Sequence, residues 1–183
     1  MQINVVTSEL PEVIQIDLKV FTDDRGFFLE SYQEEKFYNA GIPFAFVQDN
    51  HSGSKKGVLR GLHYQIKQPQ GKLLRVLVGE IFDVAVDLRR SSATFGRWVG
   101  KVLKSDDKQM IWVPPGFAHG FLVLSEWAEV LYKATDYYAP QYERTLLWND
   151  PQLGINWPLN GLDPLLSTKD MMGKTIKEAD LFD

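Results

Sequence analysis

Three histidines are available for proton chemistry: His51, His63 and His119. His63 lies in Gly57-Val58-Leu59-Arg60-Gly61-Leu62-His63-Tyr64-Gln65, and His119 in Pro114-Pro115-Gly116-Phe117-Ala118-His119-Gly120-Phe121. A free imidazole titrates near neutrality and so suits a general base. A carboxylate fixes its tautomer well, and Asp83, Asp87 and Asp170 are the candidates, among which spacing does not choose. A lone histidine more often fills space or bonds locally. His63 departs from that pattern because Arg60, Tyr64 and Gln65 are polar company for a core-facing strand. Arg25, Arg60, Lys72 and Arg75 are the cations for phosphate contact. Tyr132, Tyr137, Tyr138 and Tyr142 are close in sequence and supply aromatic faces and phenolic protons.

The elements that must hold these residues read as strands. Val13–Val20, Leu73–Val78, Ile81–Leu88, Arg97–Leu103, Met110–Val113, Gly120–Leu124 and Ala128–Thr135 alternate apolar and polar residues or form short apolar runs. Turn residues separate them, as in Gly79-Glu80, Ser105-Asp106 and Pro114-Pro115-Gly116. Many short strands at this spacing predict a mainly β fold, a double-sheet jelly roll with a ligand cavity between its sheets. Helix is predicted at Ser31–Gly41, where Ser31 and Glu34 form a capping-box pattern, and in a short piece within Lys169–Phe182. On an ideal strand Arg60 and His63 point to opposite faces, so a bulge or bend at Gly61 is expected if both reach one cavity. His63 and Gln65 share a face, as do His119, Phe121 and Val123, and these faces are expected to line it.

Bulk properties narrow the function. The 183 residues, with 44% hydrophobic content and no dividing linker, read as one domain spanning 1–183. A net charge of −4 gives no nucleic-acid footprint. The lack of cysteine removes disulfides, thiolate metal sites and cysteine nucleophiles, and fits a cytoplasmic protein. No signal peptide is apparent, and no apolar run nears the roughly 20 residues that span a bilayer, so no membrane partner is expected.

The two histidine segments resemble the cupin motifs. The second, Pro-x-Gly-x-x-His, is intact as Pro114, Gly116 and His119. In the first, Gln65 occupies the second histidine position and no Glu follows within Ile66–Lys72. Two imidazoles with no supporting carboxylate make a poor metal site, so no metal is expected.

Longer strings carry a closer resemblance. They include Phe21-x-Asp23-x-Arg25-Gly26-Phe27-Phe28-x-Glu30, Phe46-Val47-Gln48-Asp49-Asn50-His51-Ser52 and Val58-Leu59-Arg60-Gly61-Leu62-His63-Tyr64-Gln65. Gln70-Gly71-Lys72-Leu73, Phe82-Asp83-Val84-Ala85-Val86-Asp87, Leu131-Tyr132-Lys133 and Lys169-Asp170 continue it. From about Val13 to Asp170 the chain resembles the dTDP-4-dehydrorhamnose 3,5-epimerase family. Tyr64 stands where many relatives have Phe.

The resemblance implies a cupin-type jelly roll, usually a homodimer whose N-terminal strands cross the partner. It implies epimerisation of a dTDP-4-keto-6-deoxy sugar at C3 and C5 without a cofactor, in dTDP-L-rhamnose synthesis. His63 would be the base, Asp170 its orienting carboxylate, Tyr132 the opposite acid and Lys72 the cation on the enolate oxygen. Tyr138 would sit beside the sugar. Arg25, Glu30, Gln48, Asp49, Asn50, Arg60, His119, Glu143 and Lys169 would contact substrate. The role of Asp83 is left open by the sequence, with support of Lys72 or of Tyr132 as the two roles to test. The alternatives are a mono-epimerase or ketoisomerase on a related sugar, a non-catalytic sugar-binding cupin, and a metal-dependent cupin oxygenase, against which Gln65 argues.

Overall fold

A computed structural model describes residues 3–183. The strands are β1 (Ile3–Thr7), β2 (Ile14–Leu18), β3 (Val20–Asp23), β4 (Gly26–Leu29), β5 (Gln48–Lys55), β6 (Leu59–Gln65) and β7 (Lys72–Val78). They continue as β8 (Glu80–Asp87), β9 (Trp98–Lys104), β10 (Met110–Val113), β11 (Phe117–Val123), β12 (Trp127–Ala134) and β13 (Glu143–Thr145). Among the described residues they form a six-stranded sheet ordered β1-β2-β10-β7-β12-β5, a five-stranded sheet ordered β13-β6-β11-β8-β9, and a β3-β4 ribbon. The named strand pairs are all antiparallel. This is the expected cupin-type double-sheet fold.

Period-two patterning explains the layers. Leu74 and Val76 of β7, Ile81 and Ala85 of β8, Phe117, Phe121 and Val123 of β11, and Ala128 and Val130 of β12 meet in one buried cluster. Alternate residues of β8, Val84 and Val86, join a second cluster with Leu62, Tyr64 and Leu146, capped by the C-terminal residues Ile176, Ala179 and Phe182. Both faces of β8 are therefore covered, which accounts for its nearly unbroken apolar run. A third cluster lies on the other face of the six-stranded sheet, where Leu73, Trp112 and Ile16 meet Phe37 and Ile42.

Both helices are shorter than the sequence suggests. α1 spans Glu34–Asn39, and its N-cap is Gln33, whose side chain accepts from the Lys36 amide at 2.7 Å. Ser31 lies outside the helix and does not cap it, because Gln33 occupies the N-cap position. α2 covers only Thr168–Met171. Beyond it, bridges from Lys174 to Leu146 and from Phe182 to Arg89 hold the tail as extended pieces, where helix would forgo those tertiary contacts. No helix among the described residues is long and apolar enough to cross a membrane.

Candidate active site

The cleft opens between the sheets, where polar residues interrupt the apolar interior. His63 and Arg60 come from β6, His119 from β11, Lys72 from β7, Tyr132 from β12, Gln48 and Asn50 from β5, and Glu143 from β13. Tyr138 and Lys169 complete its wall.

Arg60 and His63 reach the same cleft through an irregularity in β6. His63 pairs with His119 but Arg60 pairs with Phe121, so three steps on β6 match two on β11. The extra residue reverses the side-chain alternation, as a bulge does. Gly61 sits in it at φ +131°, and its peptide bond to Leu62 is cis. A Cβ at Gly61 would stand 2.6 Å from the Gly120 Cα, and a Cβ at Gly120 would stand 2.6 Å from the Arg60 carbonyl. Only glycine at both positions permits this approach of β6 to β11.

Spacing left three carboxylates open as the partner of His63, and the tertiary structure separates them. Asp170 Oδ1 lies 2.5 Å from His63 Nε2. Asp170 is buried, and its second oxygen accepts from Ser167 Oγ at 2.7 Å. Ser167 also caps α2, accepting from the Asp170 amide. Asp83 instead lies 2.8 Å from His119 Nε2, with both groups buried and Asp83 Oδ1 lacking a hydrogen-bond partner among the described residues. The Asp87 carboxylate is bound instead by Arg89, Ser92 and Thr94.

Electrostatics sharpen these differences. Burial lowers the His63 pKa below that of a free imidazole; the Asp170 hydrogen bond opposes this, while nearby Lys169 and Lys72 add to it. His63 is thus neutral and able to accept a proton near neutral pH. Burial raises the Asp170 carboxyl, but hydrogen bonds from His63 and Ser167 outweigh it and keep the group ionised. Burial lowers Lys72 to about 8, partly opposed by the charges of Asp83 and Glu143. Burial and the Glu143 charge raise Tyr132, which keeps its phenol protonated. Glu143 accepts from Lys169 at 2.7 Å and from the Tyr138 hydroxyl at 3.0 Å. Tyr132 and His63 stand on opposite sheets, with Lys72 6.0 Å from the Tyr132 ring centre.

Some expected contacts lie elsewhere in the chain. Arg25 is at the tip of the β3-β4 ribbon, exposed and paired with Asp23. Glu30 pairs with Lys36 at 2.6 Å. Asp49 faces the opposite side of β5 from Gln48 and Asn50, and binds Lys133 at 3.0 Å. Arg75 is absent from the cleft lining, because the alternation that points Lys72, Leu74 and Val76 inward points it out. Val123 follows His119 and Phe121 on their face but lies in the apolar core. No group of three or more His, Cys, Asp or Glu side chains converges as a metal site among the described residues. The sequence reading missed Ser167 and the part taken by Gln65 and Gln70; a serine three residues before Asp170 is an N-cap signal that was available.

A family model described as dTDP-4-dehydrorhamnose 3,5-epimerase matches residues 7–178. The chain belongs to this family. A relative of that name from Pseudomonas aeruginosa is 60% identical over 174 residues, covering 94% of this chain and 96% of the relative. Another from Shigella flexneri is 52% identical over 181 residues, covering 98% and 99%. The crystal structure of dTDP-6-deoxy-D-glucose-3,5-epimerase from Legionella pneumophila Philadelphia 1, in complex with dTDP-4-keto-L-rhamnose, matches with a TM-score of 0.95 at 50% identity. It covers 98% of this chain and 95% of that one. A family of sugar-nucleotide epimerases accounts for a cleft that offers acid–base groups on two opposite walls and cations between them.

Proposed function

We propose that this protein converts dTDP-4-dehydro-6-deoxy-D-glucose to dTDP-4-dehydro-L-rhamnose by inverting C3 and C5. The observation that carries this reading is the opposition of His63, on β6 of one sheet, and Tyr132, on β12 of the other, across one cleft. Inversion needs a proton removed from one face and delivered to the other.

C3 and C5 both flank the C4 ketone, so one oxygen takes the developing negative charge in either step. His63 takes the proton from carbon through the ring nitrogen not engaged by Asp170, and Asp170 stabilises the imidazolium formed. Electrons from the C–H bond pass to the C4 oxygen as an enolate. Lys72 donates to that oxygen, and loss of such a donor costs about 3–4 kcal/mol. The Tyr132 hydroxyl then protonates the carbon from the other side. Before the next inversion the His63 imidazolium releases its proton to water and the Tyr132 phenolate takes one from water, which restores the neutral base and the phenol. The keto group already acidifies the C–H bond, so the steps balance with no redox cofactor.

Arg60 and Lys169 are the cleft cations suited to the diphosphate, with His119 beside them, and Gln48 and Asn50 offer amide groups to substrate. Tyr138 offers an exposed ring next to Glu143. Arg25 lies outside its own chain's cleft, on a ribbon that exposes Phe21, Phe27 and Phe28. A homodimer in which this ribbon reaches the partner's cleft would give those side chains, and Arg25 and Glu30 with them, a substrate to touch. Sedimentation of wild-type protein beside Phe27→Ser and Phe28→Ser variants tests this; a wild-type monomer would refute it. The substrate class favours residence in the cytoplasm and supply of rhamnose to cell-surface polysaccharide.

The deciding assay is proton NMR of dTDP-4-keto-6-deoxyglucose in D₂O with wild-type enzyme, with His63→Ala, and after chelation. Deuterium at both C3 and C5, surviving chelation and lost in the variant, is expected. Exchange at one carbon alone would make it a mono-epimerase.

A further inference from the structure

The segment leaving β12 carries Tyr138 into the cleft wall without a strand beside it. From Asp136 to Ala139 no ladder among the described residues satisfies its backbone; the Tyr137 amide donates to Asp136 Oδ1 and the Ala139 carbonyl accepts from the Tyr142 amide, while three glutamine side chains bind four of the other groups. Gln70 Nε2 donates to the Asp136 carbonyl at 2.8 Å. Gln48 Oε1 accepts from the Tyr138 amide at 2.9 Å. Gln65 makes two bonds to the segment: Nε2 donates to the Tyr137 carbonyl at 3.2 Å, and Oε1 accepts from the Ala139 amide at 2.8 Å. Its Nε2 also donates to the Gln68 carbonyl at 2.8 Å.

Gln65 differs from the other two. It is buried, so its amide meets protein rather than water and its bonds are not readily replaced. Its backbone pairs with Glu143 of β13, so one residue grips the segment both before and after the turn at Pro140–Tyr142. Tyr138 lies between these grips, and its hydroxyl ends on Glu143.

We propose that Gln65 is a positioning residue for the epimerisation, one that fixes Tyr138 against the reacting sugar by holding the backbone on both sides of it. Its position in the first histidine motif thus serves to orient an aromatic wall. The proposal rests on the reading of the cleft as the epimerase site.

The test is a double-mutant cycle of Gln65→Met and Tyr138→Ala, read as kcat and KM for dTDP-4-keto-6-deoxyglucose and as deuterium wash-in at C3 and C5. Methionine keeps the length of the side chain and removes both bonds to the segment. Gln65→Met is expected to lower kcat by about tenfold or more while KM stays within about threefold, and to have little further effect once Tyr138 is alanine. A residue that merely stabilises the fold would cost the same in both backgrounds. Should Gln65→Met fold poorly, Gln65→Asn shortens the reach by one methylene and is expected to show the same dependence on Tyr138. Wild-type kcat in the single variant, or equal losses in both backgrounds, would overturn the proposal. Absence of any wild-type exchange would remove the epimerase reading and this proposal together, whereas exchange with additive losses would remove the proposal alone.

Discussion

Replacing Asp170 by asparagine tests the proposed base most directly. Asp170 is buried, ionised and 2.5 Å from His63 Nε2, so it sets which imidazole nitrogen carries the proton. Ser167 Oγ donates to one oxygen. In Asp170→Asn the amide oxygen keeps that donor, and the NH₂ group turns toward His63. Nε2 must then accept, which puts the neutral ring's proton on Nδ1, the nitrogen facing away from residue 170. The base is left in the wrong tautomer, and the imidazolium of the transition state loses its carboxylate. Loss of a comparable carboxylate costs on the order of 10⁴-fold in kcat, or about 5 kcal/mol of barrier. Removing Asp170 also removes the interaction that raises the His63 pKa, leaving burial and the two lysines to lower it further. The acidic limb of kcat/KM should therefore move to lower pH as the plateau falls. The assay is deuterium wash-in at C3 and C5 across pH 5–9, with circular dichroism to show that the variant is folded. A folded variant keeping a tenth of wild-type kcat, or showing an acidic limb moved to higher pH, would falsify the orienting role.

Three further outcomes are expected. The amine of Lys72 sits at about 8, so its positive charge is lost as pH rises through that value; kcat should decline there, and Lys72→Met should lower it by about 10²–10³-fold and abolish that limb. Because the Tyr132 pKa is raised, Tyr132→Phe should lower kcat without moving the same limb. Gly61→Ala forces a Cβ to 2.6 Å from the Gly120 backbone at a φ of +131°; a loss of about 3 kcal/mol or more in urea unfolding is expected, with exchange lost alongside, and a variant of wild-type stability would contradict the packing. Asp87 is fully buried and its pKa falls to about 2, because bonds from Arg89, Ser92 and Thr94 outweigh the cost of burial. Since the folded value lies below the unfolded one near 3.9, this contributes about 2 kcal/mol above pH 4–5, lost as pH falls toward 2. Asp87→Asn should thus be least stable relative to wild type at neutral pH, the gap narrowing in acid-unfolding curves below pH 4.

Local chemistry in the sequence determined the strands, because a two-layer fold imposes period two on each of them, and it determined which residue types were available for proton transfer. His63 stood out by its polar neighbours, whereas Tyr132 was separated from Tyr137, Tyr138 and Tyr142 only by the family resemblance, and Gly61 marked the irregularity that lets Arg60 and His63 share a cleft. Pairing at a distance was decided only by the tertiary structure. His63 and Asp170 are 107 residues apart, and His119 and Asp83 are 36 apart, so no spacing rule could assign a carboxylate to an imidazole. The register of β11 against β8 and the docking of α2 made those assignments. The glutamine grip on Tyr138 was hidden for the same reason, since Gln48, Gln65 and Gln70 converge only when β5, β6 and the approach to β7 are folded together. Arg25 and Glu30 matched by motif, yet the ribbon carries them away from their own chain's cleft, because a motif records residue order and the packing of the ribbon sets where those residues point.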